Sequence, residues 1–591
     1  MNQPELFPTP RKVHNFSPEQ RHEHVVREIH DPALPAQGFH LNIDSNDATA
    51  RYADQLGLRY ARQTISQLRD EAGRLPTIQI ADHPDFATRG FMLDISRDRV
   101  PTRETLQRLV GVLETCRYNH LQLYIEHTFA YVGHDDVWAD ASPMSPTDMQ
   151  WLRDLCGDAG IELAANQNCF GHFGRWLSHD RYNARAECPD GFEFLPGIPF
   201  PPTMLAPTPD NASFVDSLVR EQVASFGART VNIGCDETFE LGQGFSADEV
   251  ARHGRTEVYA QHLRRIIEPL TADGLQVQFW GDVIANHPEC LDLIPHENTT
   301  ALVWNYDAPD CPKVTPPESL RDPLARIGID LEADTDFASR LAPFSESGFN
   351  HWVCPGTSSW NSLIGRLHNA RGNLLNAALA GVDSGATGYM VTDWGDGGHH
   401  QPLTVSYPPI AYGGAVSWCA SSNKDIDLAA VVDRFLVHDE ARVLGTVLEQ
   451  IGSVAHRTGV TAANASPLHA ALFPGSLTLT NGEPDADSVT QILDELTDAI
   501  EATARPIGPQ GNDIVEELSV AISLARLGAQ NLAQTAGLEV ASVGQRTSEL
   551  SDLIGRYRSA WLTTSRPGGL TDSLAHLDAA LAALRSRAGE S

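Results

Sequence analysis

The sequence predicts an α/β chain built on a (β/α)8 barrel, with a small α/β domain before it and a helical domain after it. Three observations carry this. Eight short, apolar, β-prone segments recur between residues 88 and 424, most of them separated by a helical pattern. Those segments are continuously apolar rather than alternating, as strands buried on both faces are. Beyond residue 425 the strand-like runs stop and helical spacing takes over. A doubly wound open sheet is the structural alternative; the barrel accounts for a count of eight without forcing.

Taken in order, residues 1–35 are polar and Pro-containing and are expected to be loosely held. In 36–87, the alternating Phe39–Ile43, the helical spacing of Tyr52–Leu68 and the run Leu75–Ile80 make a small α/β domain, closed by the turn Asp82-His83-Pro84. The N-terminal segment and this domain together span 1–87. The barrel strands are Gly90–Ile95, His120–Ile125, Ile161–Ala165, Thr230–Gly234, Val277–Trp280, Ala301–Trp304, His351–Cys354 and Gly388–Thr392. Helices are expected over Arg103–Tyr118, Ser145–Ala159, Ser213–Phe226, Thr256–Ala272, Thr335–Ser345 and Ile364–Ala380. The barrel occupies 88–424. From 425 to 591, helical spacing marks Asp427–Leu444, Asp485–Ala504, Ile514–Ala533, Thr547–Thr563 and a last Ala/Leu/Arg-rich stretch from Gly568. This helical domain could serve to pair two copies as a homodimer.

Composition narrows the function classes. The 591 residues carry 43 Lys+Arg against 77 Asp+Glu, a net charge of −34. Nucleic acids and anionic membranes require a basic face, so neither is expected as a partner. Only Lys12, Lys313 and Lys424 are lysines; the other cations are Arg, which fits a GC-rich coding bias or a salt-adapted host. The start, Met1-Asn2-Gln3-Pro4-Glu5-Leu6, has neither a basic n-region nor an apolar h-region. No apolar run reaches the roughly 20 residues of a membrane span. Nine Cys without CxxC pairs read as buried thiols in a reducing compartment, so a cytoplasmic location is expected.

Function in such a barrel sits at the C-terminal ends of the strands. Here those ends are populated in a consistent way. Arg89 precedes the first strand and Asp94 follows it; the second ends in Glu126-His127; the third in Asn166-Gln167-Asn168, with His172 beyond. The fourth delivers the adjacent pair Asp236-Glu237. The fifth ends in Trp280-Gly281-Asp282, the sixth in Trp304-Asn305-Tyr306, the eighth in Asp393-Trp394-Gly395-Asp396. Trp faces suit the C–H face of a sugar. Carboxylates, Asn and Arg suit hydroxyls. With no Gly-rich phosphate loop at any strand end, this set points to carbohydrate chemistry. Asp282 reads as an ordinary Gly-Asp turn. Cys235 reads as a small buried residue. His399-His400 has no matching ligand set and reads as a solvated loop, so no metal and no cofactor are called for. The Pro-rich stretch 189–210 follows the third strand, where it is either a substrate-gating loop or a plain surface excursion.

Four motifs carry a resemblance to glycoside hydrolase family 20, the β-N-acetylhexosaminidases. Asn232-Ile233-Gly234-Cys235-Asp236-Glu237 resembles the family's H/N-x-G-G-D-E segment, with Cys235 in place of the second Gly. Residues 89–97 resemble its R-G-x-x-L-D-x-S-R entry to the first strand. Phe170-Gly171-His172 is similar to its P-G-H turn, and Trp394-Gly395-Asp396 to its W-x-E/D. The resemblance covers roughly residues 36–420 and is that of a divergent, bacterial-type branch.

What the resemblance implies is an exo-acting, retaining hydrolase that releases terminal GlcNAc or GalNAc with the substrate's own acetamide as nucleophile. The sequence agrees with that exception to the usual two-carboxylate scheme, because neighbouring residues on one strand cannot readily reach both faces of the anomeric carbon. Glu237 would be the general acid/base and Asp236 would orient the acetamide and stabilise its charged N–H. Trp280, Trp304 and Trp394 would wall the acetamido methyl. Arg89 would bind the 3- and 4-hydroxyls and Asp396 O4 or O6. Glu126 stands at the acidic position after the second strand, and His172 would support the pair. The family's Tyr after the seventh strand is replaced by Ser358-Ser359-Trp360-Asn361, leaving Tyr306 or Asn361 to bond the acetamide oxygen beside Trp360. The partner implied is an oligosaccharide or glycoconjugate ending in a β-linked N-acetylhexosamine. Two other readings stand: a barrel glycosidase with the ordinary two-carboxylate mechanism, and a catalytically silent sugar-binding protein.

Overall fold

A computed structural model describes residues 4–326, 336–473, 475, 478–503 and 511–589 of the chain. It opens with a five-stranded sheet of β1 (Lys12–His22), β2 (Arg27–His30), β3 (Phe39–Ile43), β4 (Ala48–Tyr52) and β5 (Leu75–Asp82), in the order β1-β5-β3-β4-β2. Helix Gln55–Leu68 packs on it, capped by the Asp54 carboxylate on the N–H of Gly57. The expectation of loose structure over residues 1–35 is corrected here. Lys12–His22 pairs with β5 along an irregular register, and β1 has no buried residue, so no alternation announced it in the sequence.

Eight parallel strands then close a barrel: β6 (Thr88–Asp94), β7 (His120–Tyr124), β8 (Glu162–Asn166), and, after the hairpin β9 (Phe192–Leu195) and β10 (Ile198–Phe200), β11 (Thr230–Asn232), β12 (Gln276–Trp280), β13 (Thr299–Trp304), β14 (His351–Cys354) and β15 (Gly388–Asp393). Closure is by β15 on β6, from Gly388 beside Thr88 to Asp393 beside Leu93. The predicted helices lie between the strands, within a few residues of their expected bounds; Thr335, Ala504 and Ser591, at the ends of three predicted segments, lie outside the described residues. Inside the barrel, Gln122, Asn166, Asn232 and Gln278 are linked through hydrogen bonds of 2.6–3.1 Å, a polar layer below the strand ends.

Two helical features differ from the expectation. Helix Tyr407–Asn423 follows the eighth strand and is apolar or small on nearly every side; it carries no 3.6-residue stripe to read. The predicted helix Asp427–Leu444 is broken into one turn of α-helix (Leu428–Val431), a short π-helical stretch and a turn before helix Leu444–Gly452. Asp439 accepts the N–H groups of Val443 and Leu444, and Asp433 that of Gly445, and these side chains replace the helical pattern there. The helices after Ala486 dock on the barrel through the buried pair Arg99–Glu517 at 3.1 Å, with Arg99 over the Trp561 ring. Among the described residues no helix is long and apolar enough to cross a membrane.

The barrel floor corrects the reading of Arg89. That residue lies five positions before Asp94, roughly 16 Å from the mouth at 3.3 Å per strand residue. It is wholly buried, and it donates to the carbonyls of Arg117 and Phe86, to Gln37 and to the Tyr60 hydroxyl. Its guanidinium therefore joins the N-terminal domain to the barrel and has no donor facing the strand ends. Arg89→Ala is expected to lower the thermal unfolding midpoint, at a cost of about 3 kcal/mol from several charged hydrogen bonds and lost packing. Protein that stays folded should keep its substrate KM, which a calorimetric scan paired with steady-state kinetics checks.

Candidate functional site

Past Asn232 the chain leaves β11 through a run of left-handed residues: Gly234 at φ 65°, Cys235 at 69° and Glu237 at 48°. Gly234 is required, since a Cβ there would lie 2.5 Å from the Asn168 side chain. Cys235 adopts the same region with a side chain. It is held by Asn168 Oδ1, which accepts its N–H at 3.2 Å, and by the Tyr259 hydroxyl, which donates to its carbonyl at 3.0 Å. Its thiol is wholly buried, and burial pushes it up far from reactivity.

This backbone aims the two carboxylates differently. The Asp236 side chain is 9% exposed and that of Glu237 41%. Asn168 Nδ2 donates to Asp236 Oδ1 at 2.8 Å, and His172 Nε2 lies 3.4 Å from Asp236 Oδ2 and 3.4 Å from Glu237 Oε2. Burial alone would strip the His172 proton, but Asp236 holds it and lifts the imidazole to about 9. Burial also works against an ionised Asp236, yet His172 and Asn168 outweigh it and hold the carboxyl below its ordinary range. Glu237 moves the other way, raised by burial and by the charge on Asp236. Two adjacent acids are thus driven apart, one toward the carboxylate and one toward the acid.

On the other side of His172 stands a polar wall. Glu126 Oε1 is 3.7 Å from His172 Nδ1 and accepts from the Tyr124 hydroxyl at 3.1 Å; burial raises its carboxyl. Arg97 Nη1 donates to Asp94 at 3.0 Å, and its Nε lies 3.4 Å from Glu126 and 3.9 Å from Asp396. The guanidinium sits over the faces of Tyr124 and Trp394, at 4.9 and 5.0 Å. Asp94 also accepts the N–H of Gly395, tying the loops after β6 and β15 together. Arg97 thus occupies the position at the mouth that was expected of Arg89. It lies in the same motif, three residues past the end of β6 instead of five before it.

The aromatic residues form one cluster. Trp394 lies edge-on to Tyr124 at 4.9 Å and tilted on Trp280 at 5.9 Å. Trp304 and Tyr306 stack at 5.0 Å, and Tyr306 meets Trp360 edge-on at 5.0 Å. Trp394 Nε1 donates to the Tyr306 hydroxyl at 2.8 Å. Trp280 and Trp360 are fully buried while Trp304 and Tyr306 are half-buried, so the latter two offer face to a ligand. Asn361 belongs elsewhere. Its carbonyl accepts the N–H of Ser466 and its amide abuts the turn at Gly397. Of the two candidates for the missing Tyr, only Tyr306 is part of the cluster.

The hairpin β9–β10 lies against the loop of the Asp236-Glu237 pair. Phe194 meets Phe239 at 5.5 Å, and Thr203 donates twice to Glu240, at 2.6 and 2.7 Å. His399 and His400 are buried, not solvated: His399 packs on the Arg97 carbonyl, and His400 stacks on Phe473. No group of three or more His, Cys, Asp or Glu among the described residues could hold a metal ion. Arg97 and Tyr124 were not singled out from the sequence; Asn168 was noted only as the polar end of the third strand, with no role. For Arg97 the signal was its place after the strand; Tyr124 looks like any buried strand residue.

No family model matches the chain. Lacto-N-biosidase of Bifidobacterium bifidum is 22% identical over 276 residues, 43% of this chain and 23% of that protein. A β-N-acetylhexosaminidase of Cellulomonas fimi is 32% identical over 107 residues, 17% of this chain and 21% of that one. Hexosaminidase D of Homo sapiens is 23% identical over 234 residues, 38% and 46% of the two chains. The matches thus span less than half the length of these relatives. Among solved structures, the chitobiase of Flavobacterium johnsoniae covers 96% of this chain and 98% of its own at 14% identity, with a TM-score of 0.56. The family 20 exo-β-N-acetylglucosaminidase of Vibrio harveyi, solved with N-acetylglucosamine, covers 72% and 69% at 15% identity and a TM-score of 0.52. The chain therefore has the fold of the glycoside hydrolase family 20 β-N-acetylhexosaminidases, which it also resembles in its strand-end motifs.

Proposed function

We propose that the chain is an exo-acting, retaining β-N-acetylhexosaminidase that uses the 2-acetamido group of its substrate as nucleophile. The observation that carries this is the Asp236-Glu237 pair: adjacent in sequence, bridged by one imidazolium, and driven in opposite directions of protonation. The protonated, half-open Glu237 gives its proton to the glycosidic oxygen as the acetamide oxygen bonds to C1 and the C1–O bond breaks. The ionised Asp236 faces the N–H that becomes positive in the oxazolinium ion. Water then adds to C1, Glu237 takes its proton, the oxazolinium C1–O bond breaks, and the sugar leaves with its original anomeric configuration. The Trp304–Tyr306 stack and Trp394 enclose the acetamide, with the Tyr306 hydroxyl as donor to its oxygen. Arg97, Glu126 and Asp396 take the hydroxyls on the far side of the ring. The fold and the names of the relatives support this substrate class; terminal GlcNAc and GalNAc both fit it.

Glu237→Gln should lower kcat on aryl N-acetylhexosaminides by about a hundredfold or more. Asp236→Ala should lose comparably on N-acetyl sugars, and a thiazoline mimic of the oxazolinium should inhibit the unmutated protein tightly. Hydrolysis of plain hexosides without inhibition by that mimic would instead establish an ordinary two-carboxylate glycosidase, and no cleavage of any aryl glycoside a sugar-binding protein.

The pH profile follows from the directions of the shifts. Activity requires Asp236 ionised, so it falls as pH drops through the lowered value of Asp236. It also requires Glu237 protonated, so it falls as pH rises through the raised value of Glu237. The His172 cation depresses both groups, and His172→Gln should move both limbs of the kcat profile to higher pH. Unmoved limbs in a folded His172→Gln protein would show that the imidazole does not carry that charge.

A further inference from the structure

One carboxyl beside the catalytic pair has no part in the scheme above. Asp282 opens the short helix Asp282–Asn286 directly after Trp280 at the end of β12. Its Oδ2 accepts the N–H of Glu237 at 3.3 Å, while its Oδ1 is buried with no hydrogen-bond partner. The N–H of Glu237 has left the strand ladder, and its donor is directed to Asp282 alone among the described residues. Glu237 itself stands at φ 48°, a left-handed conformation that a residue with a side chain keeps only when its surroundings hold it there.

We propose that Asp282 is a positioning residue for Glu237, its carboxyl clamping the Glu237 N–H and thereby fixing the left-handed turn that aims the general acid at the glycosidic oxygen. This rests on the hexosaminidase reading of the site. Asp282 acts as a neutral acid. Burial first, then the charges of Asp236 and Glu237, push it up to about 8, with the buried Tyr259 phenol and Cys235 thiol supplying no cation. A neutral partner suits the position. A carboxylate there would put a further negative charge next to the pair, whereas the carbonyl oxygen of a protonated acid accepts the same N–H without it. An amide can therefore replace Asp282, and a side chain without an acceptor cannot.

A misaimed acid matters most when the leaving group needs protonation. In the full-length chain, Asp282→Ala should lower kcat about tenfold or more on an alkyl N-acetylhexosaminide. The loss should be several times smaller on the 4-nitrophenyl glycoside, whose leaving group departs with little help, and KM should hold within about twofold. Asp282→Asn should restore wild-type behaviour on both substrates. Asp282→Leu, branched at Cγ as Asn is but lacking an acceptor, repeats the Ala test should the smaller side chain unfold the protein. Equal losses on the two glycosides, no loss, or failure of Asn to rescue would each overturn the clamp while leaving the hexosaminidase reading intact. A wild-type chain that cleaves neither glycoside would overturn both.

Discussion

The mouth of this barrel is governed by a shortage of positive charge. Asp94, Glu126, Asp236, Glu237, Asp282 and Asp396 gather around two cations, Arg97 and His172. In a partly desolvated site so many carboxyls cannot all ionise, and the balance of burial against cations and hydrogen-bond donors decides which do. Asp236 receives both the His172 imidazolium and an amide donor, and among the shifted acids of this group it alone is lowered. Glu126, Glu237, Asp282 and Asp396 are all raised by burial. His172 lies 3.4 Å from both members of the pair, so the division of labour follows from Asn168, which donates to Asp236 and not to the Glu237 side chain.

That charge arrangement depends on backbone geometry. The left-handed residues Gly234, Cys235 and Glu237 turn the chain out of the β11 direction, so consecutive side chains no longer alternate across the barrel wall as strand residues do. Asp236 and Glu237 can then share one imidazole at 3.4 Å each. Left-handed Cys235 costs on the order of 1 kcal/mol relative to glycine. The Asn168 and Tyr259 hydrogen bonds to its main chain offset that, and the small thiol fits a fully buried space. Substitution of the family's second Gly by Cys therefore leaves the turn intact.

Much of the fold was legible because burial on both faces writes itself as continuous apolar runs, and these located all eight barrel strands. What was illegible lacked such a signature. Lys12–His22 pairs at a sheet edge without burying a side, and Tyr407–Asn423 is buried all round and has no stripe. Asp433 and Asp439 divert main-chain N–H groups in a stretch whose spacing is otherwise helical. In the site, residue types at strand ends identified the acids, His172 and most of the aromatic cluster, because strand direction fixes which end is the mouth. The same reasoning, applied strictly, separates Arg97 from Arg89: eight residues apart in one motif, they lie on opposite ends of β6. Asn361 was misplaced for a different reason. Loops after strand ends turn in ways that spacing does not encode, and a positive φ of 50° at Asn361 carries its amide to Gly397.

Tyr306 shows how a barrel can keep an aromatic enclosure while moving a member of it to another strand. From the end of β13 it stacks on Trp304, meets Trp360 from the neighbouring β14 loop, and accepts a hydrogen bond from Trp394 across the mouth. Its hydroxyl is held between the Trp394 indole N–H and the Thr392 side chain. Trp360 cannot take its place: it is fully buried, and its N–H is committed to Asn464, in the segment that follows the barrel. The C-terminal region thus braces the seventh-strand loop from behind, and under the proposed function the polar contact to the acetamide falls to the sixth strand. A hydroxyl donor in such a cluster needs only the right distance from the acetamide oxygen, and strands adjacent in a closed barrel can supply it equally well.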